Sequence, residues 1–222
     1  MSNYEITSLT ITGYSGKSVL NRFYRQDQPA TIQAILIPGL RYTCDMPLLY
    51  YPTKLLLQRG IDVLQLHTDY TISSYQSLPP GERAAWLLAD AQAAVQVGRN
   101  QRSYSKLILI GKSIGTLALA GLVSTDLGAE AMTIWLTPLL HQPFLVNAAL
   151  QYKAPVLFIA GSGDSTYDPD AMERIRQATG AEALVIDGAD HSLEISGDLS
   201  RSLRALEEVI QAITRFLEMN HL

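Results

Sequence analysis

Cysteine is almost absent from the sequence, and long apolar runs are missing altogether. Cys44 is the only cysteine among 222 residues, so the chain cannot form an internal disulfide, which is typical of proteins from a reducing compartment. No window approaches the roughly 18 uninterrupted apolar residues of a transmembrane helix. The N-terminal letters MSNYEITSLT also lack the charged and apolar segments of a signal peptide. We therefore expect a cytoplasmic protein with no membrane partner.

The sequence is also poor in clustered charge, and this bears on possible partners. Lysine and arginine total 17 against 21 aspartates and glutamates, which gives a net charge of −4. The chain has no basic cluster and no basic stretch interleaved with aromatics, so we expect no nucleic-acid partner. No two histidines have metal-ligand spacing, and a lone cysteine cannot build a thiolate site, so we expect no metal and no other cofactor. Nothing in the sequence sets the oligomeric state.

Short apolar runs suited to buried strands alternate along the chain with longer helical patterns. The runs are TIQAILIPG, IDVLQLH, KLILIG, AMTIWLTP, APVLFIAGSGD and EALVIDGADH. Such alternation predicts an α/β fold with a mostly parallel, twisted sheet and helices on both faces. Before these runs, two strand-like segments flank a glycine-containing turn at residues 13–16 and predict an antiparallel N-terminal hairpin. Without repeats or a linker, residues 1–222 are expected to form a single domain.

Two of the helical segments carry distinct signals. MPLLYYPTKLLLQRG is predicted to be a helix that ends at Gly60 and that Pro52 kinks or splits. The last segment is amphipathic, because apolar residues recur every three or four positions. Its apolar positions are Leu203, Leu206, Ile210, Ile213 and Leu217.

The stretch KLILIGKSIGTLALAG contains two overlapping motifs with different spacing requirements. Its G-K-S resembles the end of a phosphate-binding P-loop, but that loop needs a glycine five residues earlier, where this chain has Lys106. G-K-S-I-G instead fits the G-x-S-x-G nucleophile elbow, in which an apolar strand turns sharply into a helix with the serine at the tip. Side chains at Gly111 or Gly115 would collide with neighbouring backbone in so tight a turn. Ser113 is therefore the candidate nucleophile.

Two further candidate residues follow later strands in the order that a catalytic triad requires. Asp164 comes after APVLFIAGSG and His191 after EALVIDGAD, so the chain order is serine, acid, histidine. A serine hydroxyl is a weak nucleophile and needs an imidazole to take its proton, and a carboxylate must orient that imidazole. Asp168 is an alternative acid, although capping the following helix is its expected role.

The oxyanion hole of such a site needs two backbone N–H groups aimed at the developing negative charge. One is expected from Ile114, which follows the nucleophile at the start of a helix. The second is expected from the loop after AILIPG, where Leu40 is the first choice and Arg41 the second.

From about Ile32 onward, the chain resembles the α/β-hydrolase superfamily, in particular the small serine hydrolases similar to dienelactone hydrolases and acyl-peptidase-like esterases. IPGLRYTCDMPLLYY is similar to their oxyanion segment, GKSIG to the elbow, GSGDSTYD to the acid loop and GADHSLE to the histidine loop. The sequence departs from these relatives at Pro38-Gly39, where they carry His-Gly, and at Lys112 within the elbow. We expect the Lys112 side chain to reach solvent; the alternative is that it favours an acidic substrate.

The resemblance implies an α/β-hydrolase fold without a large lid, because only residues 137–154 separate two strands where lids commonly insert. It also implies a serine hydrolase that cleaves a small-molecule ester or thioester. The alternative is a non-catalytic α/β-hydrolase-like binding or scaffold protein, which the altered Pro38-Gly39 segment would favour.

Overall fold

The computed structural model describes residues 3–222, and an eight-stranded sheet forms its centre. The spatial order of the strands is β1-β2-β4-β3-β5-β6-β7-β8. The strands are β1 Tyr4–Thr7, β2 Asn21–Gln26, β3 Ile32–Ile37, β4 Asp62–Leu66, β5 Lys106–Lys112, β6 Met132–Leu136, β7 Val156–Gly161 and β8 Glu182–Ile186.

Strand direction divides the sheet into an antiparallel end and a parallel remainder. β1 pairs with β2 and β2 with β4 in antiparallel fashion, whereas every pair from β4 through β3 to β8 is parallel. A short 3₁₀ turn at Tyr14–Gly16 lies in the connection between β1 and β2. The predicted fold class, including the antiparallel N-terminal pair, is therefore confirmed.

Helices cover both faces of the sheet and bury its apolar strands. The helices are α1 Pro47–Gln58, α2 Ser73–Gln76, α3 Pro80–Arg99, α4 Ile114–Leu122, α5 Pro143–Gln151, α6 Pro169–Thr179 and α7 Leu199–Met219. α1 and α7 pack on one face, and α3 to α6 pack on the other. Because both faces are covered, β6 and β7 are buried at every residue, as expected for a parallel sheet. Over residues 3–222, none of these helices combines the length and the apolarity needed to cross a bilayer.

Pro52 lies within α1, and the helix continues past it to Gln58, so the prediction that Pro52 could split this helix is wrong. A proline inside a helix removes one hydrogen bond and costs about 3 kcal/mol. The helix also buries four leucines against the sheet, each contributing about 2 kcal/mol, and their combined burial outweighs the loss. The predicted end of the segment is confirmed, since Gly60 follows with a left-handed φ of 73°.

The carboxyl ends of β3, β5, β7 and β8 lie along one edge of the sheet, where ligands bind in open α/β folds. At this edge the first turn of α4 approaches β3 very closely. A Cβ atom on Gly115 would overlap the carbonyl oxygen of Ile37 and lie 2.8 Å from that of Pro38. Glycine at this position therefore allows the end of β5 and the end of β3 to meet.

We predict opposite outcomes for alanine at two glycines that each occupy the second position of a helix. Gly115→Ala should lower the free energy of unfolding by about 2 kcal/mol, because backbone oxygens occupy the space of the new methyl group. Gly81→Ala in α3 should leave stability unchanged or raise it by up to about 1 kcal/mol, since nothing lies within 4 Å of its Cβ. Urea unfolding of both variants checks this, and equal midpoints would contradict the close approach.

Candidate active site

Ser113 stands at the tip of a strained turn between β5 and α4. Its φ of 55° and ψ of −118° are unfavourable for a residue with a side chain. Its amide donates to Leu136 at 3.0 Å, and its carbonyl accepts from the amide of Thr116 at 2.8 Å. A Cβ atom on Gly111 would lie 2.7 Å from the carbonyl oxygen of Gly115, so the turn requires a small residue there too. This geometry is the sharp strand-to-helix turn that the G-x-S-x-G pattern predicts.

A continuous chain of hydrogen bonds joins Ser113, His191 and Asp164. His191 Nε2 lies 2.8 Å from Ser113 Oγ, and His191 Nδ1 lies 2.6 Å from Asp164 Oδ2. The Asp164 side chain is only 1% exposed, so we assign the Nδ1 proton to the bond with its carboxylate. That tautomer leaves the lone pair of Nε2 free to accept the Ser113 proton. The structure thus brings together the three residues that the sequence places after β5, β7 and β8.

Thr166 fixes the carboxylate of Asp164 and was not found from the sequence. Its amide and its hydroxyl both donate to Asp164 Oδ1 at 2.8 Å. The same hydroxyl lies 3.3 Å from His191 Nδ1. Asp164 therefore presents one oxygen to Thr166 and the other to His191, which sets the plane of the carboxylate. The only sequence signal was a threonine two residues after an aspartate, a common turn pattern.

Asp168, the alternative acid, lies at the start of α6 instead. Its Oδ1 accepts from the amide of Ala171 at 2.9 Å, which makes it the N-cap of that helix. The carboxylate that contacts His191 belongs to Asp164.

The two predicted oxyanion donors belong to segments that adjoin Ser113. Ile114 is the first residue of α4, and among the described residues neither its amide nor that of Leu40 has a hydrogen-bond acceptor. A Cβ atom on Gly39 would be 3.2 Å from Ser113 Cβ, so the loop that carries Leu40 lies directly against the serine. Gly39 and Tyr42 exchange backbone hydrogen bonds at 3.1 and 3.4 Å, and the tight turn places Arg41 at a φ of 58°. This loop thus packs against Ser113 without the His-Gly sequence.

Comparison with known proteins identifies the family. A model of the alpha/beta hydrolase domain matches residues 42–218, which is most of the chain. The chain belongs to the α/β-hydrolase family. The family resemblance seen in the sequence is therefore confirmed. No curated protein matches this α/β hydrolase.

Solved structures of esterases and of a serine hydrolase have the same fold at low sequence identity. An esterase from Pyrococcus furiosus is 17% identical, with a TM-score of 0.74 over 97% of this chain and 93% of its own. An α/β serine hydrolase without a lid from Xanthomonas campestris is 19% identical, with a TM-score of 0.71 over 97% and 94%. A cold-adapted esterase from an Arctic intertidal metagenomic library is 17% identical, with a TM-score of 0.66 over 94% and 93%. At these identities, the likeness establishes the shared fold.

Lys112 lies inside this α/β hydrolase, so the expectation that its side chain reaches solvent is wrong. The residue is 2% exposed, and its ammonium donates to the backbone carbonyl of His191 at 3.0 Å. The ammonium also lies 4.6 Å from the centre of the Tyr42 ring. Lys112 ends a central strand, and the loops that carry Tyr42 and His191 close over it before it can reach water. Burial lowers its pKa to about 8, although the nearby carboxylates of Asp164 and Asp190 oppose this shift.

Cys44, His67 and His141 lie outside the hydrogen-bonded chain. Cys44 is fully buried, its thiol donates to the carbonyl of Leu66 at 3.3 Å, and burial raises its pKa. His67 Nε2 lies 3.2 Å from Gln65 Oε1, and His141 is exposed. Within residues 3–222, no cluster of three or more His, Cys, Asp or Glu side chains is placed to hold a metal ion.

A groove of about 700 Å³ runs beside the loop that carries His191. Its walls are mostly apolar, its acidic residues are Asp190, Glu194 and Asp198, and no lysine or arginine is among the described residues that line it. Tyr42, which contacts Lys112, forms part of the wall. The apolar lining residues are Pro47, Leu48, Leu193, Ile195, Leu199, Leu203 and Leu206.

We predict that Asp168→Ala destabilises the protein without moving the candidate triad. Loss of the N-cap of α6 should lower the free energy of unfolding by about 1 kcal/mol, because the Ala171 amide loses its acceptor. The rate at which Ser113 reacts with an organophosphorus probe should stay within twofold of wild type. A tenfold slower reaction in folded Asp168→Ala would instead assign the acid role to Asp168.

Proposed function

We propose that this α/β hydrolase is a serine hydrolase that cleaves a small ester or thioester through Ser113, His191 and Asp164. The observation that carries the proposal is the hydrogen-bonded chain from serine through imidazole to carboxylate, at 2.8 and 2.6 Å. It starts from a serine on a strained turn and ends on a buried acid. A turn serine without a catalytic role needs neither the strain nor the partners.

Acylation follows from the positions of these groups. Ser113 Oγ attacks the acyl carbon while its proton moves to His191 Nε2, and Asp164 stabilises the imidazolium that forms. The substrate carbonyl becomes an oxyanion, which accepts hydrogen bonds from the amides of Ile114 and Leu40. The tetrahedral intermediate collapses when the alcohol or thiol leaves, taking the proton from Nε2. The acyl group is now bonded to Ser113.

Deacylation repeats the same steps with water as the nucleophile. A water molecule attacks the acyl-enzyme as Nε2 accepts its proton, and the same two amides hold the second oxyanion. The carboxylic acid leaves when the proton passes back from Nε2 to Ser113 Oγ. Every proton in this route moves between serine, histidine, water and the leaving group, so the route requires no cofactor.

The short connection between β6 and β7 supports a small, soluble substrate. Residues 137–154 contain one helix, α5, in the place where larger α/β hydrolases carry a lid. We accordingly propose that residues 1–222 form a single domain with an accessible cleft, which suits short esters better than lipids at an oil interface. The Xanthomonas campestris protein of similar fold is itself described as lacking a lid.

Lining charge supports a neutral or cationic substrate over an acidic one. We propose that the acyl group lies in the groove beside His191, which carries three acidic residues and mostly apolar walls. The ammonium of Lys112 is bound to a backbone carbonyl inside the protein, and the exposed Arg41 lines a separate pocket with Pro38 and Gly39. An anionic acyl group would meet repulsion there.

We predict that a fluorophosphonate probe labels the wild-type protein and that labelling depends on the triad. Ser113→Ala should show no labelling, because the reacting oxygen is gone. His191→Ala and Asp164→Asn should react at least 100-fold more slowly, because Ser113 loses its base or the base loses its orientation. In-gel fluorescence over time measures the rates, and circular dichroism controls for folding.

Failure of the folded wild type to react would contradict the proposal. It would favour the alternative, a non-catalytic binding or scaffold protein, with Pro38 as the first position to change.

We predict that a neutral short ester is cleaved faster than an anionic ester of the same length. The ratio of kcat/KM for p-nitrophenyl butyrate over p-nitrophenyl hemisuccinate should be about five- to tenfold, which corresponds to about 1 kcal/mol of repulsion. Glu194→Gln should reduce this ratio, since it removes one acidic side chain from the groove. Faster cleavage of the hemisuccinate would contradict the assignment and support the acidic-substrate alternative for Lys112.

A further inference from the structure

We infer that Lys112 is a positioning residue that holds the histidine loop (residues 187–194) and the oxyanion loop (residues 38–42) against Ser113. This inference rests on the proposed function, because it assigns the lysine a task in proton transfer and oxyanion binding. Its role is indirect, since its ammonium contacts neither Ser113 Oγ nor the ring of His191.

The contact with the histidine loop is a charge-assisted hydrogen bond whose donor, Lys112, is almost fully buried. Lys112 is the last residue of β5 and directly precedes Ser113, and its backbone pairs with Leu136 in β6. Its ammonium lies 3.0 Å from the carbonyl oxygen of His191, and the whole residue is 2% exposed. The rigid sheet therefore holds both the nucleophile and the anchor of the base through adjacent residues.

The contact with the oxyanion loop uses the rest of the same side chain. The ammonium lies 4.6 Å from the centre of the Tyr42 ring, a cation–π distance. A Cβ atom on Gly39 would be 3.1 Å from Lys112 Cδ, so the stem of the lysine packs under the start of this loop. Tyr42 is itself held, because its hydroxyl accepts from the amide of Leu48 at 2.9 Å. One side chain thus ties both loops to β5.

If this space needed only to be filled, a lysine would be unfavourable for the stability of the fold. Burial of its charge is unfavourable, and among the described residues the ammonium makes one hydrogen bond, although it has three donors. Methionine has a similar length and would fill the same space without a charge. Methionine can neither donate a hydrogen bond to the His191 carbonyl nor make a cation–π contact with the Tyr42 ring.

Because the ammonium can lose its proton, the two loop contacts should depend on pH. Asp164, Asp190, His191 and Tyr42 are the titratable groups that face it. Burial lowers the pKa of Lys112 from 10.5 to about 8, and Tyr42 stays protonated there because burial raises its pKa to about 12. Both loop contacts should therefore weaken as the pH rises through about 8, and kcat should fall.

The free energy of unfolding should rise over the pH range in which kcat falls. The unfolded chain holds the Lys112 proton up to about its ordinary pKa of 10.5, whereas the folded chain releases it near 8. Between these values the unfolded state binds more protons, so stability rises with pH while kcat falls. A lysine that served only the stability of the fold would not separate the two quantities.

The test compares Lys112→Met with Lys106→Met on the same strand. Lys106 also donates its ammonium to a backbone carbonyl, that of Asn220 at 3.0 Å, but it is exposed and lies at the far end of β5. For Lys112→Met we expect kcat for p-nitrophenyl butyrate to fall at least tenfold, KM to stay within threefold, and the melting temperature not to fall. The decline of kcat above pH 8 should disappear. Lys106→Met should match wild type in all four readouts.

A second variant restores the ammonium chemically and keeps the inference testable if Lys112→Met folds poorly. Because position 112 is nearly as buried as Cys44, Lys112→Cys is made together with Cys44→Ala and is alkylated with 2-bromoethylamine in denaturant before refolding, which adds an aminoethyl thioether of nearly the length of lysine. Most of the lost kcat should return. The alkaline decline should reappear at a lower pH than in wild type, because the sulfur makes the ammonium more acidic.

Two results would overturn the inference alone. The first is that Lys112→Met has the same kcat and pH profile as Lys106→Met. The second is that Lys112→Met loses kcat and melting temperature in parallel, while kcat still declines above pH 8. The same samples are labelled with fluorophosphonate. Absence of Ser113-dependent labelling in wild type would overturn the proposed function and this inference with it. If labelling is normal, either of the two results above would overturn only the role inferred for Lys112.

Discussion

The close approach of α4 to the end of β3 is the constraint on which the candidate site depends. Because Gly115 has no side chain, the helix can start against the carbonyl oxygens of Ile37 and Pro38. The start of α4 therefore lies next to the loop that carries Leu40, and Ser113 stands between them in an unfavourable backbone conformation. A larger residue at position 115 would push the start of α4 away from the end of β3, and so move Ser113 away from the loop that carries Leu40.

Two buried charges show that the site is kept at a cost in stability. Asp164 is compensated by Thr166 and His191, so its carboxylate is well satisfied. Lys112 is compensated less well, and the drop in its pKa from 10.5 to about 8 corresponds to about 3 kcal/mol of disfavoured charge at neutral pH. That is a large share of the 5–15 kcal/mol of net stability typical of a protein. Such a group is expected where it serves a function, as in the positioning role inferred above.

The sequence predicted what depends on order along the chain and on local backbone geometry. Alternating strands and helices indicated the parallel sheet, and glycines on both sides of Ser113 indicated the sharp turn. Asp164 and His191 could be selected because each follows a strand. Thr166 and the buried state of Lys112 depend instead on contacts between loops far apart in the chain, which no local pattern records. Pro52 was misjudged for the same reason, since its helix is stabilised by packing against the sheet.

The order of the strands also determines when the site can exist during folding. Its parts come from loops after β3, β5, β7 and β8, and β8 is an edge strand far along the chain from β3. Loop-closure entropy makes such distant pairings slow relative to helix formation. Helical structure should therefore return early in refolding, whereas His191 reaches Ser113 only with the docking of β8. Recovery of a reactive serine would then report the docking of the C-terminal part of the sheet, which the return of helical structure does not.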